Sequence, residues 1–274
     1  MELTHIIILL ATGIGVGLAS GLLGLGGAFI MTPVQYIIFT DMGLSPDMAI
    51  RLAFGTNLLV VLPTAASGAW RHHLKKAVMW RAAIIIGSCS LVFALVGATL
   101  ATHLPGVSLK IAYGAIVLLS GIRMLTAREP RINREPVDNP WIWIAWAVPI
   151  GLIAAFFGMG GAILMIPVMV MALRFKMHNA VATSLAVMIF TSVGGIIGFI
   201  VNGLGVPGLP PYSIGYVNLL SFFVLALTSI GTAQLGAIFA HKLHARQLRY
   251  IFIIIMFYMG LKMIGVFEWL GLPL

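Results

Sequence analysis

Charged residues are scarce in this chain. Lys, Arg, Asp and Glu together make up 8% of its 274 residues, and only seven residues are acidic. In a soluble domain roughly a quarter of the residues are charged. A surface as apolar as this one is stable only where lipid replaces water. The scarcity therefore excludes an ordinary soluble domain and predicts a protein embedded in a bilayer.

Cysteine residues and the motifs of metal sites and enzymes are scarce or absent as well. Cys89 is the single cysteine, so the chain cannot form an intrachain disulfide, and no residue spacing is typical of a metal site. There is no phosphate-binding loop and no nucleophile–base arrangement, so we expect no cofactor, no metal and no catalytic residue. The net charge of +9 is spread over short loops between apolar segments, which argues against a nucleic-acid partner.

Long uncharged runs are what the chain has instead. The runs without Lys, Arg, Asp or Glu are 3–40, 52–70, 82–109, 139–173 and 177–241. About 20 apolar residues cross a bilayer as a helix. The runs predict an all-α polytopic membrane protein with ten elements, at 4–24, 27–40, 47–70, 79–103, 108–126, 140–158, 161–174, 178–202, 213–241 and 246–267. No basic region precedes the first apolar run, so we expect no cleavable signal peptide.

One polar connection divides the elements into two groups of five. Residues 127–139 contain two prolines and six charges and are typical of an exposed linker. We therefore predict an N-terminal repeat at 1–126, a linker at 127–139 and a C-terminal repeat at 140–274.

The basic residues predict the orientation. If the chain changes side at each element and begins outside, 13 of the 16 Lys and Arg residues lie on the cytoplasmic side. The remaining three, Arg51, Lys110 and Lys262, lie toward the other side. Since cytoplasmic loops carry an excess of Lys and Arg, both termini are predicted outside and the linker inside.

Four sequence blocks recur in the same order in both halves. Residues 20–33 match 154–167, residues 55–64 match 182–191, residues 97–110 match 236–249, and residues 120–125 match 259–264. Because each half has an odd number of elements, the second copy must enter the membrane upside down. Inverted-topology repeats of this kind recur in secondary transporters, with the substrate near the midplane.

Two glycine clusters lie at matching positions in the repeats, GLGG at 24–27 and GMGG at 158–161. Residues 3–40 would form a helix of about 57 Å, too long for one crossing of ~30 Å, so we expect a break at the glycines. Each short helix after a break would present unpaired N–H groups and a positive dipole end to an anion. The candidate substrate-binding residues at the breaks are Gly24, Gly26, Gly27, Ala28, Gly158, Gly160, Gly161 and Ala162. The alternative is close helix packing through small residues.

Polar side chains near the breaks are further candidates for the substrate site. Thr56 and Asn57 match Thr183 and Ser184 in the second repeat, and these groups would either contact the anion or bond neighbouring helices. Arg51 would attract anions or extend its guanidinium to the lipid headgroups. No Asp or Glu lies in the predicted membrane interior, since Glu268 is near the external end, and this disfavours cation transport.

The paired segments GLGGAFIMTP and GMGGAILMIP, with the motif GTNL and its counterpart ATSL downstream, resemble the TauE/SafE family. The resemblance covers nearly the whole chain. It implies a bacterial cytoplasmic-membrane transporter that moves a small sulfur-containing anion, such as sulfite or sulfoacetate, usually outward. Alternating access would come from one repeat rocking against the other. An anion channel on the same scaffold, or a non-transporting membrane scaffold or assembly factor, are the alternatives.

Overall fold

The computed structural model describes residues 2–23, 27–126, 136–239 and 245–269. Almost every described segment is helical. The helices are α1 (Leu3–Leu23), α2 (Ala28–Asp41), α3 (Pro46–Leu74), α4 (Trp80–His103), α5 (Gly106–Thr126), α6 (Pro140–Phe156), α7 (Ala162–Pro167), α8 (Met177–Gly203), α9 (Leu219–Phe239), α10 (Ala245–Ile264) and α11 (Val266–Trp269). The all-α architecture predicted from the sequence is confirmed.

Four of these helices, α3, α4, α5 and α8, are long and apolar enough to cross a bilayer by length and composition. Shorter apolar stretches lie in α1, α6, α9 and α10, at Leu3–Leu18, Pro140–Phe156, Leu219–Thr232 and Ile253–Ile264. The chain is therefore a multi-pass membrane protein. Part of the predicted linker, 127–135, lies outside the described residues, and 136–139 has no regular structure.

Local sequence signals explain where two of the helices begin. The Ser45 hydroxyl accepts a hydrogen bond from the Met48 N–H, and Pro46 is the first residue of α3. The Asn139 side chain accepts from the Trp141 N–H ahead of Pro140 in α6. A short polar cap followed by proline is a favoured helix start because proline lacks the N–H that the first turn leaves unpaired.

Three predicted elements were wrong in detail, among them the tenth, which was expected over 246–267 but is divided at Gly265 into α10 and α11. The ninth was expected to begin at residue 213, but Ser213–Ile214 and Val217–Asn218 pair as a two-stranded antiparallel hairpin, β1 and β2, and α9 begins only at Leu219. Periodicity missed the hairpin because its turn is short and its flanks are apolar. The seventh was expected to be one helix over 161–174, but α7 ends at Pro167 and a π-helical turn, Val168–Ala172, comes next. Proline removes a backbone N–H, and the hydrogen-bond register shifts there.

Small residues allow the helices to approach closely. A Cβ added to Gly17 of α1 would lie 2.9 Å from the Ser229 Cα of α9, and one added to Gly151 of α6 would lie 2.7 Å from the Ser90 Cα of α4. Such distances leave no room for a side chain. Lipid tails are as apolar as the helix faces, so the hydrophobic effect does not drive helices together in a bilayer. Close contact of this kind stabilises membrane helix pairs through dispersion instead.

The central helices α3 and α8 also approach each other closely at glycines. An added Cβ at Gly68 would lie 3.0 Å from a Leu185 methyl carbon, and one at Gly195 would lie 2.5 Å from a Leu58 methyl carbon. Residue 58 of α3 thus contacts residue 195 of α8, and residue 68 contacts residue 185. The contacting residue numbers rise along α3 while they fall along α8, so the two helices are antiparallel.

Helices α5 and α10 form a second antiparallel pair. The Cβ position of Gly121 lies 3.3 Å from the ring of Phe257, and that of Gly260 lies 2.7 Å from the Leu118 side chain. By contrast, α4 and α8 are parallel, since Gly194 and Gly198 of α8 contact Leu91 and Leu95 of α4 in ascending order.

Candidate functional site

The first predicted break is present. Helix α1 ends at Leu23 and α2 begins at Ala28. Gly27 precedes α2 with a φ of 64°, a left-handed conformation that favours glycine. No side chain of the described residues caps this helix start, where the N–H groups of Ile30 and Met31 donate to the carbonyl oxygen of Gly27. Gly24 and Gly26, also predicted as substrate contacts, lie outside the described residues.

The second break is present as well. Helix α6 ends at Phe156 and α7 begins at Ala162. Three glycines of the intervening segment have positive φ, with values of 61° at Gly158, 66° at Gly160 and 99° at Gly161. Within the described part of the chain, no side chain caps α7 either. Left-handed residues in close succession reverse the chain without a long loop, which keeps the break inside the protein.

A hydrogen-bond network links the two breaks. The Asn57 amide nitrogen donates to the carbonyl oxygen of Gly158 at 2.7 Å and to the Thr32 hydroxyl at 3.1 Å. The Tyr113 hydroxyl donates to the carbonyl oxygen of Ala28 at 2.9 Å. All of these side chains are buried. Asn57 on α3 therefore joins the second break to the helix that begins after the first.

The second break is also held from α8. The Thr191 hydroxyl donates to the Gly160 carbonyl oxygen at 2.9 Å. The next residue, Ser192, lies so that an added Cβ at Gly160 would be 3.6 Å from its hydroxyl oxygen. Thr191 and Ser192 did not stand out in the sequence, because hydroxyl residues are common in apolar helices and their facing partner was not visible there.

Two buried polar atoms at this place have no hydrogen-bond partner in the described part of the chain. They are the Asn57 Oδ1 and the Ser192 Oγ, both in fully buried side chains. Unpaired buried polar atoms are costly and are rare in native structures. A polar ligand or water at the breaks would satisfy them.

The paired threonines make structural contacts. The Thr56 hydroxyl accepts from the Asn218 N–H at 2.9 Å, directly before α9, and the Thr183 hydroxyl accepts from the Met79 N–H at 3.1 Å, directly before α4. Each therefore supplies one of the acceptors that a helix start needs. Ser184 donates to the carbonyl oxygen of Val181 in its own helix, at 2.8 Å.

Arg51 lies toward one end of the molecule. Its guanidinium donates to the Leu104 carbonyl oxygen at 2.9 Å and lies 5.9 Å from the centre of the Tyr216 ring. It precedes Asn57 by six residues, or roughly 9 Å along the helix axis. Its match in the second repeat is His178, whose ring centre lies 5.4 Å from that of His72. The structure thus engages Arg51 with loops rather than with the breaks.

The space at the second break is small. A cavity of about 10 Å³ lies against it, lined by Ile116, Ile153, Ala154, Met159, Gly161 and Leu164. This is roughly the space of one water. A larger cavity, of about 180 Å³, lies at the far end of α2 and is lined by Phe39, Met42, Pro210, Pro211, Tyr212, Asn218 and Leu220.

Broken helices whose backbone is buried between membrane helices are a recurring feature of membrane transport proteins. The protein is a polytopic helical membrane protein of this class. A model of the family described as "Sulfite exporter TauE/SafE" matches residues 9–263. The chain belongs to that family.

Named relatives cover nearly the whole chain. A probable membrane transporter protein of Methanocaldococcus jannaschii is 31% identical over 259 residues, covering 94% of each chain. A probable membrane transporter protein of Haemophilus influenzae is 24% identical and covers 95% of this chain and 98% of its own. The probable membrane transporter protein YunE of Bacillus subtilis is 25% identical over 96% of this chain and 99% of its own. No solved structure matches the chain. Its relatives identify the protein as a membrane transporter.

Proposed function

We propose that this protein carries a small sulfur-containing anion, such as sulfite, sulfoacetate or a related organosulfonate, out of the cell by alternating access. The observation that carries the proposal is the link that Asn57 makes between the second break and α2, the helix that begins after the first break, beside buried polar atoms without partners among the described residues. The family description as sulfite exporters supports the substrate class.

The chemistry of the breaks favours an anion. Two helix starts without side-chain caps in the described residues present positive dipole ends, which complement negative charge. The sequence places no Asp or Glu in the predicted membrane interior to repel an anion or to bind a cation. The hydroxyl of Ser192 is a further donor that no described protein group occupies.

The inverted repeat is part of the proposal and is supported by reciprocal contacts. The block spacing makes Gly17 correspond to Gly151 and Ser90 to Ser229, and the two glycines contact the two serines crosswise. The contacts Gly68–Leu185 and Gly195–Leu58 are related in the same way, since Gly68 corresponds to Gly195 and Leu58 to Leu185. A two-fold relation between the halves requires such crosswise pairs. The antiparallel course of α3 and α8 supports this proposal, because a two-fold axis perpendicular to both helices would relate them in that way.

Alternating access is consistent with the closed packing. The cavity at the second break accommodates no more than about one water, so an anion enters only when one half moves against the other. We place the protein in the cytoplasmic membrane with both termini outside, because 13 of its 16 Lys and Arg residues then face the cytoplasm. Reporter fusions within 127–139 and at each terminus measure this orientation, and a cytoplasmic signal from either terminus would contradict it.

A flux assay in proteoliposomes tests the function. We expect saturable uptake of sulfite and sulfoacetate, acceleration by the same anion loaded on the opposite side, and little flux of acetate. Non-saturable flux without counter-exchange would favour a channel. No anion flux from correctly folded protein would overturn the proposal.

A bulky variant at the second break tests the scaffold alternative. Gly160→Leu is expected to abolish flux, while Gly43→Ala, in a turn with open space around it, serves as a control that retains it. If Gly160→Leu folds and still carries flux, the break is only a packing feature.

A further inference from the structure

Gln35 is the most unusual polar side chain on α2. It is 1% exposed, and neither its amide oxygen nor its amide nitrogen has a hydrogen-bond partner among the described residues. A buried amide with both polar atoms unpaired opposes folding, and polar groups inside membrane proteins generally mark a substrate path or a helix contact. Within the part of the chain that the structure describes, Gln35 bonds no neighbouring helix.

The position of Gln35 on its helix is informative. Ala28, Thr32, Gln35, Phe39 and Met42 succeed one another at intervals of four, three, four and three residues. This spacing places them on one face of α2. Gln35 therefore lies in the middle of a single stripe that runs the length of the helix.

Both ends of the stripe have defined surroundings. At the start of α2, the Ala28 carbonyl oxygen accepts from Tyr113 and the Thr32 hydroxyl accepts from Asn57, within the network at the breaks. At the other end, Phe39 and Met42 line the cavity of about 180 Å³. Gln35 thus lies between the cavity and the network, about one helical turn from Phe39 at the cavity and about one turn from Thr32 in the network.

The second half has no equivalent amide. Under the block alignment Gln35 corresponds to Met169, a fully buried residue of the π-helical turn. An amide required by the architecture of the repeat would be expected in both copies. Its presence in one copy indicates a role on one side of the transport path.

We propose that Gln35 is a substrate-binding residue on the path between this cavity and the helix breaks, where its amide nitrogen donates to an oxygen of the transported oxyanion. The inference rests on the proposed transport function. Gln35 is the polar residue of this stripe between Thr32 and Phe39, so its amide is placed to hold the anion between the cavity and Asn57. This part of the path lies on the side on which α2 ends at Asp41, predicted to be external, and is therefore the exit side during export.

The first experiment separates binding from folding. Gln35→Leu removes both unpaired atoms at similar volume, so we expect a melting temperature equal to or above that of the wild type, together with a rise in KM for sulfite flux of about tenfold. Met169→Leu is the matched control, expected to leave KM within about twofold. An unchanged KM in Gln35→Leu would overturn the inference, and absence of flux in the wild type would instead overturn the proposed function.

The second experiment measures access directly and needs no flux. In a Cys89→Ala background, Gln35→Cys is treated with a membrane-impermeant thiosulfonate that carries a sulfonate group, added on the side of Asp41. We expect labelling that slows several-fold with sulfoacetate, whereas Met169→Cys stays unlabelled from that side. A Gln35→Cys thiol that is unreactive, or reactive without protection by sulfoacetate, would contradict the assignment.

Discussion

The two helix breaks lead into helices of different length. After the first break, α2 runs for 14 residues and passes through Pro33 without interruption. After the second, α7 has six residues and ends at Pro167, where the π-helical turn takes over. In the first half, the break therefore leads into one long buried helix. In the second half it leads into a short helix, and a hydrogen bond from α8 holds the break.

The polar side chains are divided unequally between these regions. Thr32 and Gln35 on α2 correspond to Ile166 and Met169 in the second half, and Ser192 on α8 is contributed by the second half alone. Both halves therefore share the glycine backbone, whereas each supplies different polar groups. Under the proposed function, the anion would therefore pass different polar groups in the two halves.

The largest expected effect tests how the second break is packed. In Gly158→Ala the added Cβ would lie 2.6 Å from the Phe54 Cα, and φ would remain at 61°. A left-handed residue with a side chain costs about 1–2 kcal/mol, and the collision with backbone adds to this. We expect the variant to fold poorly, measured as loss of monodisperse protein in detergent.

Two further glycines calibrate that result. In Gly160→Ala the nearest atoms belong to the side chains of Val61 and Met188, which move more easily than backbone. Gly43→Ala meets no atom of the described residues within 4 Å and incurs only the conformational cost of its φ of 85°. Loss of stability should therefore decrease in the order Gly158, Gly160, Gly43, and equal losses would show that packing at the break is unimportant.

The next effect concerns the link between the breaks. Asn57→Leu leaves the Gly158 carbonyl oxygen and the Thr32 hydroxyl without their donor, and a lost buried hydrogen bond of this kind costs about 1–3 kcal/mol. We expect anion flux to fall by about tenfold or more. Its repeat counterpart Ser184→Ala, which loses only a bond within α8, should stay within about twofold. Similar losses in both variants would contradict a central role for Asn57.

A smaller effect tests the reciprocity of the halves. Thr56→Val and Thr183→Val keep the shape of the side chain but remove the acceptor for the N–H before α9 and before α4. Each should lower the free energy of unfolding by about 1 kcal/mol, and by equal amounts. Thermal shift in the same detergent measures both, and a marked inequality would argue against equivalent roles.

The smallest expected change in stability is at Ser192. Because its hydroxyl has no partner among the described residues, Ser192→Ala should leave the melting temperature unchanged or slightly higher. If the hydroxyl donates to the anion, KM for sulfite rises several-fold in the same variant. An unchanged KM would remove Ser192 from the site and leave the second half with backbone groups alone.

Much of the fold could be predicted from the sequence because the bilayer limits the choices. Uncharged runs of the length of a crossing determine the helices, and the glycine clusters in two of these runs correctly predicted the breaks. The prediction failed where spacing carries no information. The hairpin of Ser213–Ile214 with Val217–Asn218 reads as a continuation of α9, and Pro167 interrupts its helix whereas Pro33 does not.

The candidate site divides in the same way. Composition and periodicity by themselves determined that the chain is a helical membrane protein, and the glycine clusters determined where its helices break, since both depend on local backbone and on transfer to lipid. Only the tertiary structure decided which side chains meet those breaks. It brought Asn57 to Gly158 across 101 residues, assigned Thr56 and Thr183 to helix starts, and left Gln35 and Ser192 buried without partners among the described residues. Such contacts depend on how distant helices pack, and a pattern along one helix does not contain that information.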